Sequence, residues 1–210
     1  MEDILDVYAR PLDPARPLIC FDEAGKELQA HARPPLPPAP GLVARADTHY
    51  VRHGSVRLFC AVAPQLGWRT LSTASQRTGI EWAEAMRELV DVHFPQAERL
   101  VVVLDNLNIH RPAALYRAFP PAEAKRIWDK LELHYTPVHG SWLNLAELEL
   151  SALQRQCLRR RLPDRAELER EVAAWVAERN AAEVTISWQL TSAEARVRLV
   201  HLYPTPEHAT

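Results

Sequence analysis

Two short segments of the chain are continuously apolar and are each followed by an aspartate. Residues 18–21 (LICF) precede Asp22, and residues 100–104 (LVVVL) precede Asp105. Unbroken apolar runs with β-branched residues are typical of central parallel strands that are covered on both faces. Open α/β sheets bind ligands at the carboxyl ends of such strands, so both aspartates are candidate site residues.

A third segment combines a strand, a turn and a long helix. Residues 131–135 have a strand pattern, a turn with Pro137 and Gly140 follows, and helical periodicity begins at Leu145. We expect Ser141 or Asn144 to cap this helix, because both side chains accept hydrogen bonds from free helix N–H groups. Glu147 falls near its start, which is also typical of a solvated acid that the helix dipole favours. Together with the two aspartates, however, it forms a set of three carboxylates suited to Mg(II).

The remaining pattern predicts a mixed α/β sheet. Strands are expected at 56–63 and 68–72, and helices at 79–92, from 112, at 122–130, at 164–181 and at 192–201, with a helical turn at 2–9. Thr78 with Glu81 and Asp164 with Glu167 have the spacing of capping boxes. The proline-rich residues 33–41 exclude helix and central strand and predict a surface excursion. Residues 203–210 are expected to be loosely held.

Composition limits the classes of function. The chain has 210 residues, 47% of them hydrophobic and 25% charged, as in an ordinary soluble domain. It shows no apolar run that could cross a membrane and no signal peptide, and its three cysteines lack metal-binding spacing, so we expect a cytoplasmic protein. The net charge of −2 gives no general attraction to DNA, so contacts must come from local clusters. The candidate DNA-binding cluster, which is also typical of a solvated helix end, is Arg155, Arg159, Arg160, Arg161 and Arg165.

Three motifs together resemble a known family. They are Asp22-Glu23, DNLNIH at 105–110 and YTPVHGSWLNLAELE at 135–149. They resemble the DDE superfamily endonuclease domain of the bacterial insertion-sequence six-thirty transposases, relatives of the mariner transposases. The resemblance extends from residue 19 to about 203. It implies a ribonuclease-H-like (retroviral-integrase-like) mixed five-stranded sheet flanked by helices, and metal-dependent DNA strand cleavage and strand transfer of an insertion sequence.

The resemblance also implies roles for individual residues. Asp22, Asp105 and Glu147 correspond to the catalytic carboxylates, which would hold two Mg(II) ions, or Mn(II) as a substitute, with Asp22 bridging them. Asn106, His110 and Asn144 correspond to positions that flank the metal site; His110 is equally compatible with a substrate contact and with a structural hydrogen bond. Trp142 has two interpretations, stacking on an extruded base or packing beneath the helix. The neighbouring acids Glu23 and Glu149 are expected to point away from the site.

Two departures from the family affect the expected function. Asp105 and Glu147 are separated by 41 residues, more than is usual in the family, which indicates an insertion before the fifth strand. The N-terminal helix-turn-helix modules of full-length relatives are absent. We therefore expect residues 1–162 to form the catalytic domain and 163–210 a C-terminal helical extension packed on it.

The expected partner is double-stranded DNA, both transposon ends and target. On DNA the protein is expected to be a homodimer, with a separate helix-turn-helix polypeptide as a possible companion and a bacterial, nucleoid-associated location. Two alternative functions stay open: a catalytically idle or DNA-binding remnant of a transposase, and a nuclease of the same fold that does not transfer strands.

Overall fold

The fold is built on one mixed five-stranded sheet. In the computed structural model, which describes residues 1–43, 45 and 47–203, the strands are β1 (Leu18–His31), β2 (Tyr50–Ala63), β3 (Trp68–Ala74), β4 (Leu100–Leu104) and β5 (Leu131–Tyr135). They lie in the order β3-β2-β1-β4-β5. The first three strands pair antiparallel, and β1, β4 and β5 pair parallel. This topology confirms the expected ribonuclease-H-like sheet. The segment 204–210, part of the C-terminus expected to be loosely held, lies outside the described residues.

The first strand is longer than the sequence predicts. Its parallel pairing with β4 ends at Cys20 and Val103, but its antiparallel pairing with β2 continues to His31. Asp22 therefore lies within β1, opposite Cys60, rather than at the end of the strand. The prediction was wrong because the outer part of β1 is only partly covered, so it lacks the continuous apolar run that marks the buried part.

Seven α-helices of the described residues cover the two faces of the sheet. They are α1 (Glu2–Tyr8), α2 (Gly79–Glu88), α3 (Pro112–Ala118), α4 (Pro121–Asp129), α5 (Ala146–Gln156), α6 (Arg165–Ala181) and α7 (Ser192–Arg198). Helices α2, α3 and α4 pack on one face around Phe21, Trp82 and Leu104. The other four pack on the opposite face, which α1 and α7 share with the start of α5, while the rest of α5 and α6 cover β2. None of the described helices has both the length and the apolar character needed to cross a membrane.

Local hydrogen bonds explain where several helices begin. Thr78 and Glu81 form the predicted reciprocal capping box of α2, and the Asp164 side chain accepts a hydrogen bond from the Glu167 N–H at the start of α6. The predicted cap of α5 is different. The helix begins at Ala146, after a 3₁₀ turn at Ser141–Leu143, and neither Ser141 nor Asn144 is its N-cap residue. The Asn144 amide instead bonds to β1, as described below.

The packing of α5 gives a direct test of the fold. Leu153 is 1% exposed beneath this helix, whereas Leu148 on its outer side is 54% exposed. Replacing Leu153 by Ala removes buried methyl groups and leaves a cavity, so we expect a loss of about 2–5 kcal/mol in the free energy of unfolding. Leu148→Ala should change it by less than about 0.5 kcal/mol. Urea denaturation of both variants measures the difference, and similar losses would contradict this packing.

Candidate active site

The three predicted catalytic carboxylates come from three elements at one edge of the sheet. Asp22 lies in β1, two residues beyond the last parallel pair with β4. Asp105 directly follows β4, and Glu147 lies in the first turn of α5. Asp22 and Asp105 are half-buried, and Glu147 is exposed. All three are therefore open to solvent to some degree, as a site for an ion and a large substrate requires.

The pKa of Asp22 is raised by its burial and by the negative charges around it. Burial raises the pKa of its carboxyl, and the negative charges of Glu147, Glu23 and Asp105 act in the same direction. The backbone N–H of Glu23 donates a 2.8 Å hydrogen bond to Asp22 Oδ1 and opposes these effects, but the pKa still reaches about 7. The carboxylates thus repel one another, and the local charge favours a cation.

The donor set fits a hard divalent cation. Carboxylate oxygens are the ligands that Mg(II) and similar ions prefer, and a bound cation would offset the repulsion felt by Asp22. Asp22, Asp105 and Glu147 are the residues that would hold it.

A buried histidine supports Asp105 from beneath. The side chain of His110 is fully buried, and its Nδ1 lies 2.7 Å from Asp105 Oδ1. Its Nε2 lies 2.8 Å from Glu23 Oε1, and the Glu23 side chain is only 2% exposed. The expectation that Glu23 points to the opposite face from Asp22 agrees with this geometry, because the ring of His110 packs near Phe21 and Trp82.

Glu23, Asp105 and His110 form an internal ion cluster, which shares Asp105 with the three predicted catalytic carboxylates. Among the described residues, the potential metal-binding atoms of Glu23, Asp105 and His110 are the group of three that lie within 4.8 Å of one another. Burial lowers the pKa of His110, but its hydrogen bonds to Asp105 and Glu23 outweigh this and raise it to about 9. An imidazolium that donates to both carboxylates already supplies their positive charge, so a metal ion there would have to displace it. The structure favours the structural alternative for His110.

Two buried side chains hold the segment that leads into α5. Asn144 Nδ2 donates to the Phe21 carbonyl at 2.8 Å, and its Oδ1 accepts from the Ala146 N–H at 3.2 Å. One amide therefore joins the residue before Asp22 to the start of the helix that carries Glu147. The Tyr8 hydroxyl of α1 donates to the Leu143 carbonyl at 2.6 Å and accepts from the Leu145 N–H at 3.3 Å.

The predicted turn before α5 is tight. The Gly140 N–H donates to the Pro137 carbonyl at 2.9 Å. A Cβ at Gly140 would lie 2.6 Å from Pro137 Cγ, so this close approach requires glycine. Between them, His139 adopts a positive φ of 61°. The chain thereby passes from β5 towards α5 through a tight turn.

The other two flanking residues lie at the rim of the site. Asn106 is exposed, and its Oδ1 accepts a 2.6 Å hydrogen bond from Arg111. Trp142 is 44% exposed and stacks on Trp188, with ring centroids 6.3 Å apart. Its ring therefore packs against the protein on one part while another part stays accessible, and stacking on an extruded base stays a prediction.

The arginine cluster does not form one free patch. Arg160 pairs with Glu171, Arg165 pairs with Glu169 at 2.7 Å, and Arg161 donates to the carbonyls of Thr48 and His49. Within the described residues, Arg155 and Arg159 are not paired with an acid. A role of the cluster in DNA binding stays a prediction.

Sequence reasoning missed two supports of this site. Glu23 was set aside because strand alternation turns it away from Asp22, although the acidic pair next to a buried strand was a signal. Tyr8 gave no signal, because its contacts join residues 135 and 137 positions apart.

Sequence comparison supplies the class of protein. The family model of the DDE superfamily endonucleases matches residues 17–169. That match covers more than half of the chain, so this protein belongs to the DDE superfamily endonuclease family, whose members use divalent metal ions. No curated protein sequence matches the chain at a significant level.

Solved structures show that the fold is shared with a mariner transposase. The Mos1 mariner paired end complex with Mn matches with a TM-score of 0.55 and 16% identity, and the Mos1 strand transfer complex with 0.55 and 14%. A pre-cleavage Mos1 transpososome matches with 0.53 and 15% identity. Each match covers 87% of this chain but only 55%, 55% and 59% of the respective Mos1 chain. The chain thus spans little more than half the length of these relatives.

The internal ion cluster can be tested by removing Glu23. Glu23→Ala leaves a buried imidazolium with one partner fewer, so we expect a loss of about 3–5 kcal/mol in the free energy of unfolding. Glu23→Gln keeps a hydrogen-bond acceptor and should lose less. The control is Glu169→Ala, which removes an exposed pair worth less than about 1 kcal/mol. Urea denaturation would argue against the cluster if Glu23→Ala and Glu169→Ala cost the same.

Proposed function

We propose that this chain is the catalytic domain of a DNA transposase, which cleaves DNA strands of an insertion sequence and joins them to a target. The observation that carries the proposal is the placement of three carboxylates at one edge of the sheet, with Asp22 in β1, Asp105 directly after β4 and Glu147 in the first turn of α5. Membership of the DDE superfamily endonucleases supports phosphodiester chemistry. The Mos1 matches, which include a strand transfer complex, support transposition in particular.

The metal of this site is proposed to be Mg(II), with Mn(II) as a substitute. Asp22, Asp105 and Glu147 are the residues that would hold the ions. When bound, such ions activate the attacking oxygen and stabilise the leaving oxygen of the phosphodiester. The residues of the chain itself provide the placement: His110 holds Asp105, and Asn144 fixes Glu147 relative to β1.

The proposed substrate is double-stranded DNA, both transposon ends and target. Ser151 and Arg155 follow Glu147 at i+4 and i+8 on the exposed side of α5, and Arg155 donates to the Ser151 hydroxyl. At 1.5 Å per residue, Arg155 lies about 12 Å along the helix from Glu147. A strand bound at the carboxylates could therefore place a second phosphate near Arg155.

Full transposition is proposed to need further components. A homodimer on DNA is proposed as the active form, and a separate helix-turn-helix polypeptide that reads the transposon ends is proposed as its companion. Alone, the domain is expected to bind DNA with little sequence preference, because phosphate contacts carry no sequence information.

The decisive experiment is metal-dependent nicking of supercoiled DNA. Asp105→Asn removes one carboxylate charge without changing the size of the side chain, so we expect nicking in Mg(II) or Mn(II) to be lost while the fold stays intact. Asp129→Asn, at an exposed acid of α4 paired with Lys125, is the matched control and should nick like the parent.

The products of this assay separate the alternatives. Nicked DNA without joined products would favour the nuclease that does not transfer strands. A parent protein that binds DNA but never cleaves it would indicate the idle remnant. Equal activity of the parent and Asp105→Asn would place the active site elsewhere.

The salt dependence of DNA binding tests the arginine cluster. Arg160, Arg161 and Arg165 would have to exchange intramolecular contacts for phosphates, so Arg155 and Arg159 should contribute most. Replacing both by Ala should flatten the slope of log K against log salt by about 2. The parent should bind DNA weakly, with a dissociation constant of about 10⁻⁴–10⁻⁶ M at physiological salt. The double variant should bind more weakly still, by the same factor for all DNA sequences.

Arg161→Ala is the matched control for that experiment, because this arginine is held by two backbone carbonyls and stacks near Tyr50. Fluorescence anisotropy at several salt concentrations measures each slope. A double variant with an unchanged slope would exclude the end of α5 and the turn that follows it from the DNA interface.

A further inference from the structure

A second buried ion cluster lies on the opposite side of α5 from Glu147. Glu149 is only 1% exposed, although it is charged and lies two residues after Glu147. Arg179 of α6 approaches it with two parallel contacts, Nε to Oε1 at 2.7 Å and a terminal nitrogen to Oε2 at 2.9 Å. Arg69 of β3, which is fully buried, places its Nε 2.9 Å from the same Oε1. We refer to Arg69, Glu149 and Arg179 as the arginine clamp.

The clamp is hydrogen-bonded to three parts of the fold, which are the turn before β3, the end of α6 and the segment that follows α6. The Arg69 guanidinium donates to the carbonyls of Gly67 and Arg179, both at 2.8 Å, and to that of Val184. Asn180, next to Arg179, pairs with the backbone of Arg69 in both directions, at 2.9 and 2.8 Å. Glu149 is therefore hydrogen-bonded to the end of α6 and ion-paired with edge strand β3, where the Nε of Arg69 has no hydrogen-bond partner among the described residues. A bidentate guanidinium fixes the orientation of a carboxylate as well as its distance.

Stability alone does not account for such a cluster. Buried ion pairs lose their hydration, and apolar residues of similar volume are often as stable or more stable in their place. The apolar contacts of α5 and α6, through Leu153, Leu168 and Val172, already hold the two helices on the sheet. What apolar contacts lack is direction, and direction is what a helix needs if one of its side chains must reach a defined point.

The position of the clamp along α5 suggests its role. Asn144 anchors the chain three residues before Glu147 by its hydrogen bond to Phe21, and the clamp anchors it two residues after. The start of α5 is restrained further by the Ala146 N–H, which donates to Asn144 Oδ1, and by the Leu145 N–H, which donates to the Tyr8 hydroxyl. Two directional anchors on either side of Glu147 fix both the rotation of the helix and its position along its axis.

We propose that the arginine clamp is a positioning device for the catalytic helix, which holds α5 so that Glu147 faces Asp22 and Asp105. The proposal rests on the proposed function of this site. Arg69, Glu149 and Arg179 touch neither metal nor substrate in it and act only through the placement of Glu147. It follows that α6 is needed for the geometry of the site.

The test compares two identical changes at two similar ion pairs. Arg179→Lys keeps the charge but loses the parallel pair of contacts to Glu149. Arg196→Lys is the matched control, because Arg196 makes the same two contacts, at 2.7 and 2.8 Å, with the exposed Glu2 that joins α7 to α1. Both variants and the parent are studied as the full chain, with circular dichroism to confirm folding.

The first measurement is hydrogen exchange of the metal-free proteins. Arg179→Lys should speed exchange of the α5 amides at residues 150–154, relative to the amides of β4 and β5, because the helix has lost an anchor. Arg196→Lys should not change the α5 amides. Unchanged exchange in Arg179→Lys would overturn the proposal, whether or not the protein binds metal.

The second measurement is Mn(II) affinity by calorimetric titration, together with the turnover and KM of nicking. Residues that orient metal ligands typically contribute 10- to 100-fold in metal affinity, so Arg179→Lys should weaken Mn(II) binding by at least about 10-fold. Turnover should fall while the KM for DNA stays unchanged. Faster exchange with unaltered Mn(II) affinity and turnover would overturn the proposal and leave the clamp a purely structural contact. A parent that neither binds Mn(II) nor nicks DNA would overturn the proposed function instead, while the exchange measurement would still decide whether the clamp orders α5.

Discussion

The constraint on which this site depends is the repulsion between carboxylates held at one edge of a sheet. Burial raises the pKa of Asp22, and the negative charges of Glu147, Glu23 and Asp105 raise it further. Nothing in the carboxylates themselves keeps them together, so other contacts must oppose their separation. Those contacts are buried hydrogen bonds and ion pairs, each of which would be costly to leave unsatisfied.

Each carboxylate has its own restraint, and each restraint begins outside the site. Asp22 is part of β1, which pairs with strands on both sides at its inner end. Asp105 follows the last residue of β4 and is held by His110, which Glu23 holds in turn. Glu147 lies on a helix that is bound to β1 through Asn144. Because none of these restraints needs an ion, the chain can prepare the arrangement before a cation arrives.

Much of the fold followed from local patterns in the sequence. The apolar run at 100–104 located β4 to the residue, and the strand pattern at 131–135 located β5. The spacing of Thr, Asp and Glu located the caps of α2 and α6. The outer half of β1 could not be predicted from a local pattern. A half-exposed strand needs no apolar run, and this one is recognised only by its pairing with β2. The start of α5 was predicted only in part for a related reason. The Asn144 side chain accepts from the Ala146 N–H, as expected, but it also donates to the carbonyl of Phe21, which is 123 positions away.

The same distinction explains what could be known of the site. The motifs around Asp22, Asp105 and Glu147 predict the three carboxylates of the candidate site, since the chemistry of a divalent ion determines the residue types. Glu149 faces away from Glu147, as the helix period predicts, whereas Glu23 lies on the other face of β1 from Asp22 but still within 4.8 Å of Asp105. Their partners could not be found in this way, since His110 lies 87 positions from Glu23 and Arg179 lies 30 from Glu149. Glu23 and Glu149, the two acids that were not assigned to the chemistry, thus form buried ion pairs next to the predicted carboxylates.

The segment after residue 162, predicted to be a C-terminal extension of the catalytic domain, is in close contact with the sheet. Leu162 is fully buried, and its carbonyl accepts a 2.8 Å hydrogen bond from the Gln29 N–H of β1. Leu168, Val172 and Trp175 of α6 belong to the hydrophobic cluster that also contains Leu58 and Cys60 of β2. A domain has its own hydrophobic core, and here the segment after 162 shares one with the sheet. These contacts argue for one cooperative unit in which α6 completes the layer around the catalytic helix.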